Sequence, residues 1–160
     1  MAAAAPEIPV FVDSRMESYP IDFLKETIEA ESNDTTLDGL IARYDVRWVF
    51  AEHDRKRFRA RLGHLVAKGW AAVYVDSEYL ILVRPSPSPD MAAYVAAHRV
   101  DLARVEPPDL VAGPAALRAQ QRAGFARLMA DLGQPARFDE QRRAAISESG
   151  AAGEEAFATP

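Results

Sequence analysis

Two runs of strand-favouring residues, Trp70-Ala-Ala-Val-Tyr-Val75 and Tyr79-Leu-Ile-Leu-Val83, stand only Asp76, Ser77 and Glu78 apart. So short a connection leaves no room for a crossover, and the pair predicts an antiparallel hairpin. Every other element has to be arranged around it. Val46-Arg-Trp-Val-Phe50 predicts one strand upstream, and the apolar run Ile8-Pro-Val-Phe-Val12 another. After Pro20, Ile21, Leu24 and Ile28 recur at helical spacing, with Asp22 near the positive N-terminal end. Ser32-Asn-Asp-Thr35 breaks that helix, and Thr36 is placed to cap a second one carrying Leu37, Leu40, Ile41 and Tyr44. Phe58, Leu62, Leu65 and Val66 make Asp54 to Lys68 the clearest amphipathic helix, with Gly69 as its stop.

The order β-αα-β-α-β-β predicts an α/β fold with a small mixed four-stranded sheet. Helical crossovers between the first three strands favour parallel pairing with right-handed connections. Pro85-Ser-Pro-Ser-Pro89 reads as a stiff linker. Beyond it, Ala-rich helices over about 90–105, 114–132 and 136–149 form a C-terminal helical extension. The expected organisation is therefore an α/β domain over 1–84, a linker over 85–89, helices over 90–149 and a disordered tail over 150–160.

Composition enters as a set of exclusions. A hydrophobic content of 49% suffices for a core, and a net charge of −5 argues against binding a polyanion by overall electrostatics. With no cysteine there is no disulfide framework, thiol nucleophile or Cys-based metal site. Stretches free of Asp, Glu, Lys and Arg never exceed eight residues, whereas a membrane-spanning helix needs about 20 apolar ones. Met1-Ala-Ala-Ala-Ala-Pro6 has neither the basic start nor the apolar run of a signal peptide. With Met1 as the true start, the expectation is a cytoplasmic protein.

Asp13, Arg15, Glu17 and Tyr19 follow the first expected strand at alternate positions. Ligands gather at the carboxyl ends of strands in parallel α/β sheets. Arg15 suits a phosphate or carboxylate held by two hydrogen bonds, and Asp13 and Glu17 suit a sugar hydroxyl or a cation. The structural alternative is that Arg15 pairs with Asp13 or Glu17 and fixes the turn. Asp76 and Glu78 are explained by the hairpin turn itself. The helix from Asp54 carries Arg55, Lys56, Arg57, Arg59 and Arg61. Such a face is either simply solvated or, with Arg55, Lys56 and Arg59 leading, a contact for anionic lipid headgroups. Glu52 and Asp54 alongside, and the lack of a reading motif, argue against nucleic acid. His53, His64 and His98 have no partner at metal-ligand helical spacing, there is no G-x-S-x-G elbow, and the eight glycines form no phosphate loop. No catalytic residue, metal or cofactor is expected from these patterns.

One series of residues resembles a known family. Pro9-Val-Phe-Val-Asp13-Ser-Arg15-Met-Glu17-Ser-Tyr19, then Tyr44-Asp-Val-Arg-Trp-Val-Phe50, then Gly69-Trp70 opening the hairpin, is similar to the soluble C-terminal domain of bacterial GT-C-type membrane glycosyltransferases. Those enzymes are in turn similar to dolichyl-phosphate-mannose–protein mannosyltransferases. The likeness covers roughly residues 8–84. It implies an extracytoplasmic domain of an enzyme that takes sugar from a polyprenyl-phosphate donor, with the catalytic acid on a membrane loop that has no counterpart here. By this resemblance the chain is a non-catalytic accessory domain working beside a membrane-embedded transferase portion or the membrane surface. Two other readings remain open: an interaction module whose Ala-rich C-terminal helices dock a partner protein, and a small enzyme using Asp13 and Glu17 as an acid–base or metal pair. In an extended chain those carboxylates lie roughly 13 Å apart, so the last reading requires a turn between them.

Overall fold

Helix stops and caps lay out the chain. The structure, a computed structural model, describes residues 19–52, 56–76, 78–86, 88–105 and 114–158, and the chain divides into two compact units between Val46 and Arg47. The expected strand Ile8–Val12, and with it the fourth strand of the sheet, lies outside the described residues.

In the first unit, α1 (Ile21–Ala30) and α2 (Asp34–Arg43) pack on each other. The cap between them is Asn33, not Thr36. The Asn33 side-chain oxygen accepts from the amides of Thr35 at 3.0 Å and Thr36 at 3.2 Å, satisfying two of the donors that a helix start leaves open, an arrangement worth about 1 kcal/mol. Thr36 falls in the first turn, and its hydroxyl donates to Glu29 Oε1 at 3.1 Å. Leu37, Leu40 and Ile41 of α2 are buried. Phe23 meets Tyr44 edge-on at 5.6 Å, and Arg43 pairs with Glu26 at 2.8 Å. The helix closes through Asp45, whose φ of 49° is left-handed, and the Val46 amide donates back to the Ile41 carbonyl at 3.1 Å.

The second unit holds β1 (Trp48–Glu52), α3 (Lys56–Ala67), β2 (Ala71–Val75), β3 (Tyr79–Val83), α4 (Pro89–His98), α5 (Ala115–Asp131), α6 (Pro135–Ser149) and α7 (Ala151–Ala158). Its hairpin is as predicted: β2 and β3 pair antiparallel. Parallel pairing of β1 with β2 does not occur, and the pairing expected of Ile8–Val12 lies outside the described residues. Among the described residues the sheet is three-stranded and wholly antiparallel, in the order β1-β3-β2. β1 and β2 run in the same direction, joined by α3, but β3 inserts between them. Both ladders of the sheet are then antiparallel, the pairing slightly more stable per residue than a parallel one.

Between α3 and β2 the chain turns at Gly69, with φ of 89°; its amide donates to Val66 O at 2.9 Å and the Trp70 amide to Leu65 O at 3.1 Å. This paired closure requires a left-handed residue, which glycine adopts without strain.

Pro85–Pro89 does not separate compact units, because α4 packs on β2 and α3 on α5. α4 ends at His98, short of the expected 105. The following segment folds back, with the Val100 amide donating to Ala72 O at 2.8 Å and Asp101 Oδ1 accepting from the Ala103 amide at 3.0 Å. α5 is the central helix, contacting α3, α6 and α7. Ala119, Ala123, Phe125, Ala126, Leu128 and Met129 are buried on it, as a helix enclosed on several sides requires.

The expected disordered tail is also corrected. Residues 151–158 form α7, packed on α5 and α6. Arg127 Nη2 donates to Ala156 O at 2.8 Å, and Phe157 meets Phe138 edge-on at 5.5 Å. Small residues, which read as fraying in a sequence, here permit close helix approach: Gly153 is buried, and a Cβ there would stand 2.5 Å from Ala145 O.

Candidate binding surface

Residues directly opposite in an antiparallel pair share a sheet face. The register sets Val49 against Leu82 and Ala51 against Leu80, with Ala72 and Val75 across from Leu82 and Leu80. Ala51, Leu80, Leu82, Ala72 and Val75 are all buried, and this is the core face. Trp48–Val83, Phe50–Ile81 and Glu52–Tyr79 make up the other face, joined by Ala71 and Tyr74. A bulge between Ala72 and Tyr74 absorbs the extra residue Val73 and keeps Tyr74 in line with Ile81.

That second face is covered at one end only. Toward Trp48, α4 packs on β2 and Tyr94 meets the Trp48 ring at 5.2 Å, stacking in turn on His98 at 4.2 Å. Val83 and Ala71 are buried there. Toward the hairpin turn the face is open: Phe50 is 66% exposed and Tyr74 44%. Phe50 and Tyr79 stack across β1 and β3 with centroids 5.0 Å apart and planes 18° off parallel. The Tyr74 hydroxyl donates to Asp76 Oδ2 at 2.6 Å, which fixes its ring. Asp76 Oδ1 accepts from the Glu78 and Tyr79 amides at 2.8 and 2.6 Å, so this carboxylate is the turn residue its position predicts. Clustered exposed apolar groups, unlike singly scattered ones, mark a candidate interaction surface.

Of the residues singled out from the sequence, Asp13, Arg15, Glu17 and Arg55 lie outside the described residues. Tyr19 is half-buried and stacks on Phe23 at 5.5 Å, continuing the Phe23–Tyr44 contact. Its ring therefore braces the entry to α1. Lys56 opens α3. Arg59 is not a headgroup contact: it is 8% exposed and its Nε ion-pairs with the Asp131 carboxylate at the end of α5. One turn on, Gly63 lets the Asp131 carbonyl approach so closely that a Cβ would stand 2.3 Å from it. Arg59 thus belongs to the α3–α5 contact and places its charge at the negative end of α5. Burial, followed by the like charge of Arg59, lowers the pKa of Arg127.

The C-terminal helices spend their polar groups on one another. Arg122 on α5 donates from Nη2 and Nε to the two Glu148 oxygens at 2.7 and 3.3 Å, and from Nη1 to buried Gln141 at 2.8 Å. Arg137, also buried, donates to Glu140 and to Val105 O, both at 2.5 Å. A groove of about 510 Å³ between the start of β2, Arg99–Ala103 and Leu132 is shallow and mixed in lining. Among the described residues no group of three His, Cys, Asp or Glu is placed to hold a metal ion, and no helix is long and apolar enough to cross a membrane. Comparison with protein-family models, with curated proteins and with solved structures finds no match.

The reading of Val46–Phe50 as a strand left open which of its residues face outward. The signal was the alternation within it. Trp48 and Phe50 sit two apart, as do Val49 and Ala51, and only the second pair needs a core.

Proposed function

We propose that the chain is a non-catalytic accessory domain of the kind it resembles, serving a membrane glycosyltransferase that draws sugar from a polyprenyl-phosphate donor. The observation that carries this reading furthest is the open half-face of Phe50, Tyr74 and Tyr79, a preformed contact surface on a rigid sheet. The series from Pro9 to Tyr19 with Tyr44–Phe50 and Gly69-Trp70 supports the relationship. Asp13, Arg15 and Glu17 are the proposed ligand contacts of the N-terminal stretch, and Arg55 and Lys56 the proposed headgroup contacts. A protein partner docked through the C-terminal helices is the weaker reading, since α7 already occupies α5 and α6.

The reading is tested by sequencing the DNA immediately upstream of the Met1 codon. An in-frame extension encoding several apolar helices is the expected result. A stop codon with a ribosome-binding site directly ahead of Met1 overturns the membrane-transferase part.

A further inference from the structure

We infer that the open half-face binds the apolar face of a neutral sugar ring, with Phe50 as the central stacking group and Tyr74 and Tyr79 flanking it. The inference rests on the accessory-domain reading for its biological setting and on the geometry for its chemistry. Tyr74, Ile81 and Phe50 lie in one row across three strands. Strand spacing puts the backbones of the two aromatic residues about 9–10 Å apart, room for a short oligosaccharide rather than a single small molecule. The rings are held before any ligand arrives: Phe50 by its stack on Tyr79, Tyr74 by its hydrogen bond to Asp76. Such preorganisation lowers the cost of binding.

Charge selects the ligand class. The positions of this half-face are Phe50, Glu52, Tyr74, Tyr79 and Ile81, with Asp76 and Glu78 at its rim. Among the described positions of this half-face and its rim the charged groups are Glu52, Asp76 and Glu78, and none of these positions is Lys or Arg. Phosphate-bearing ligands, whether nucleotides or anionic headgroups, meet like charge. Asp76 spends both oxygens on the turn and on Tyr74, which leaves the exposed Glu78 to meet either a cation or a sugar hydroxyl, so ring geometry decides between them. The Phe50 and Tyr79 planes are near parallel rather than converging as walls around an ammonium group. A pyranose meets both conditions. One of its faces is a sheet of C–H bonds that packs on an aromatic ring, and its rim of hydroxyls donates to carboxylates.

The experiment is a titration of the full chain, ring carbons labelled, with mannotriose, cellotriose and chitotriose at millimolar concentration, read by the aromatic resonances of Phe50, Tyr74 and Tyr79. At least one trisaccharide is expected to shift all three. Phe50→Ala should weaken that binding about tenfold, and Phe50→Trp should retain it. A wild-type chain whose rings ignore all three sugars overturns the inference. So does a response confined to an arginine-rich peptide, or self-association that Phe50→Ala abolishes. The upstream-frame test separates the two proposals: sugar binding with a closed frame leaves a free-standing glycan binder, and an open frame without sugar binding leaves an accessory domain whose sheet face serves something else.

Discussion

The C-terminal helices and the open end of the sheet belong to one compact unit, yet they treat their side chains in opposite ways. On α5, α6 and α7, guanidinium groups are turned inward and matched: Arg122 to Glu148 and Gln141, Arg127 to Ala156 O, Arg137 to Glu140 and Val105 O. At the hairpin end of the sheet, apolar rings are turned outward and left in water. Folding stability accounts for the first arrangement, because a buried charge is tolerated only when paired. It does not account for the second, since exposing Phe50 gains nothing from burial. Surface that folding does not explain is where a binding role is to be sought.

Substitutions can break this contrast or sharpen it. Phe125→Ala, in the enclosed helix, should cost about 3–5 kcal/mol through lost contacts and a residual cavity, read by urea unfolding. Arg59→Ala leaves Asp131 without its partner; because that carboxylate is about one-third exposed, the loss should be about 2 kcal/mol rather than the full cost of a deeply buried pair. Gly69→Ala forces an L-residue into the left-handed turn and should cost about 1–2 kcal/mol, visible as a lower thermal midpoint. The smallest effect is expected for Phe50→Ser: under about 1 kcal/mol, the worth of one cross-strand ring pair. A large loss at Phe50 would make that ring a structural element and erase the difference between the two regions.

Local features were legible and tertiary ones were not. The hairpin followed from two runs and three intervening residues, and α3 from its apolar spacing. Two of the three marks of the family resemblance prove to be helix closures. Tyr44-Asp45-Val46 ends α2 through a left-handed Asp45, and Gly69-Trp70 ends α3 in the same way. Both therefore have a local backbone reason in this chain, which makes them informative about fold rather than ligand. Strand order was illegible because β3 competes with β2 for the side of β1, and that choice is settled by long-range packing. Arg59 looked like one more cation on a basic face; its partner Asp131 lies 72 residues further on. Asn33 outranked Thr36 as a cap because it stands one turn earlier, where its side chain reaches two free amides.

The central strand being the last of the three to be made has a kinetic consequence. While the ribosome is still short of Tyr79, β1 and β2 have no partner within the described sheet, because both pair with β3 alone. Helix α3 has its local hydrogen bonds by then, but two unpaired strand edges wait on it. The five residues Tyr79–Val83 then complete both ladders together, so the sheet should appear in one step rather than strand by strand. An arrest series stepping the nascent chain through residues 70–90, plus the length of the exit tunnel, should show protection of Val49 and Val75 arriving at the same chain length.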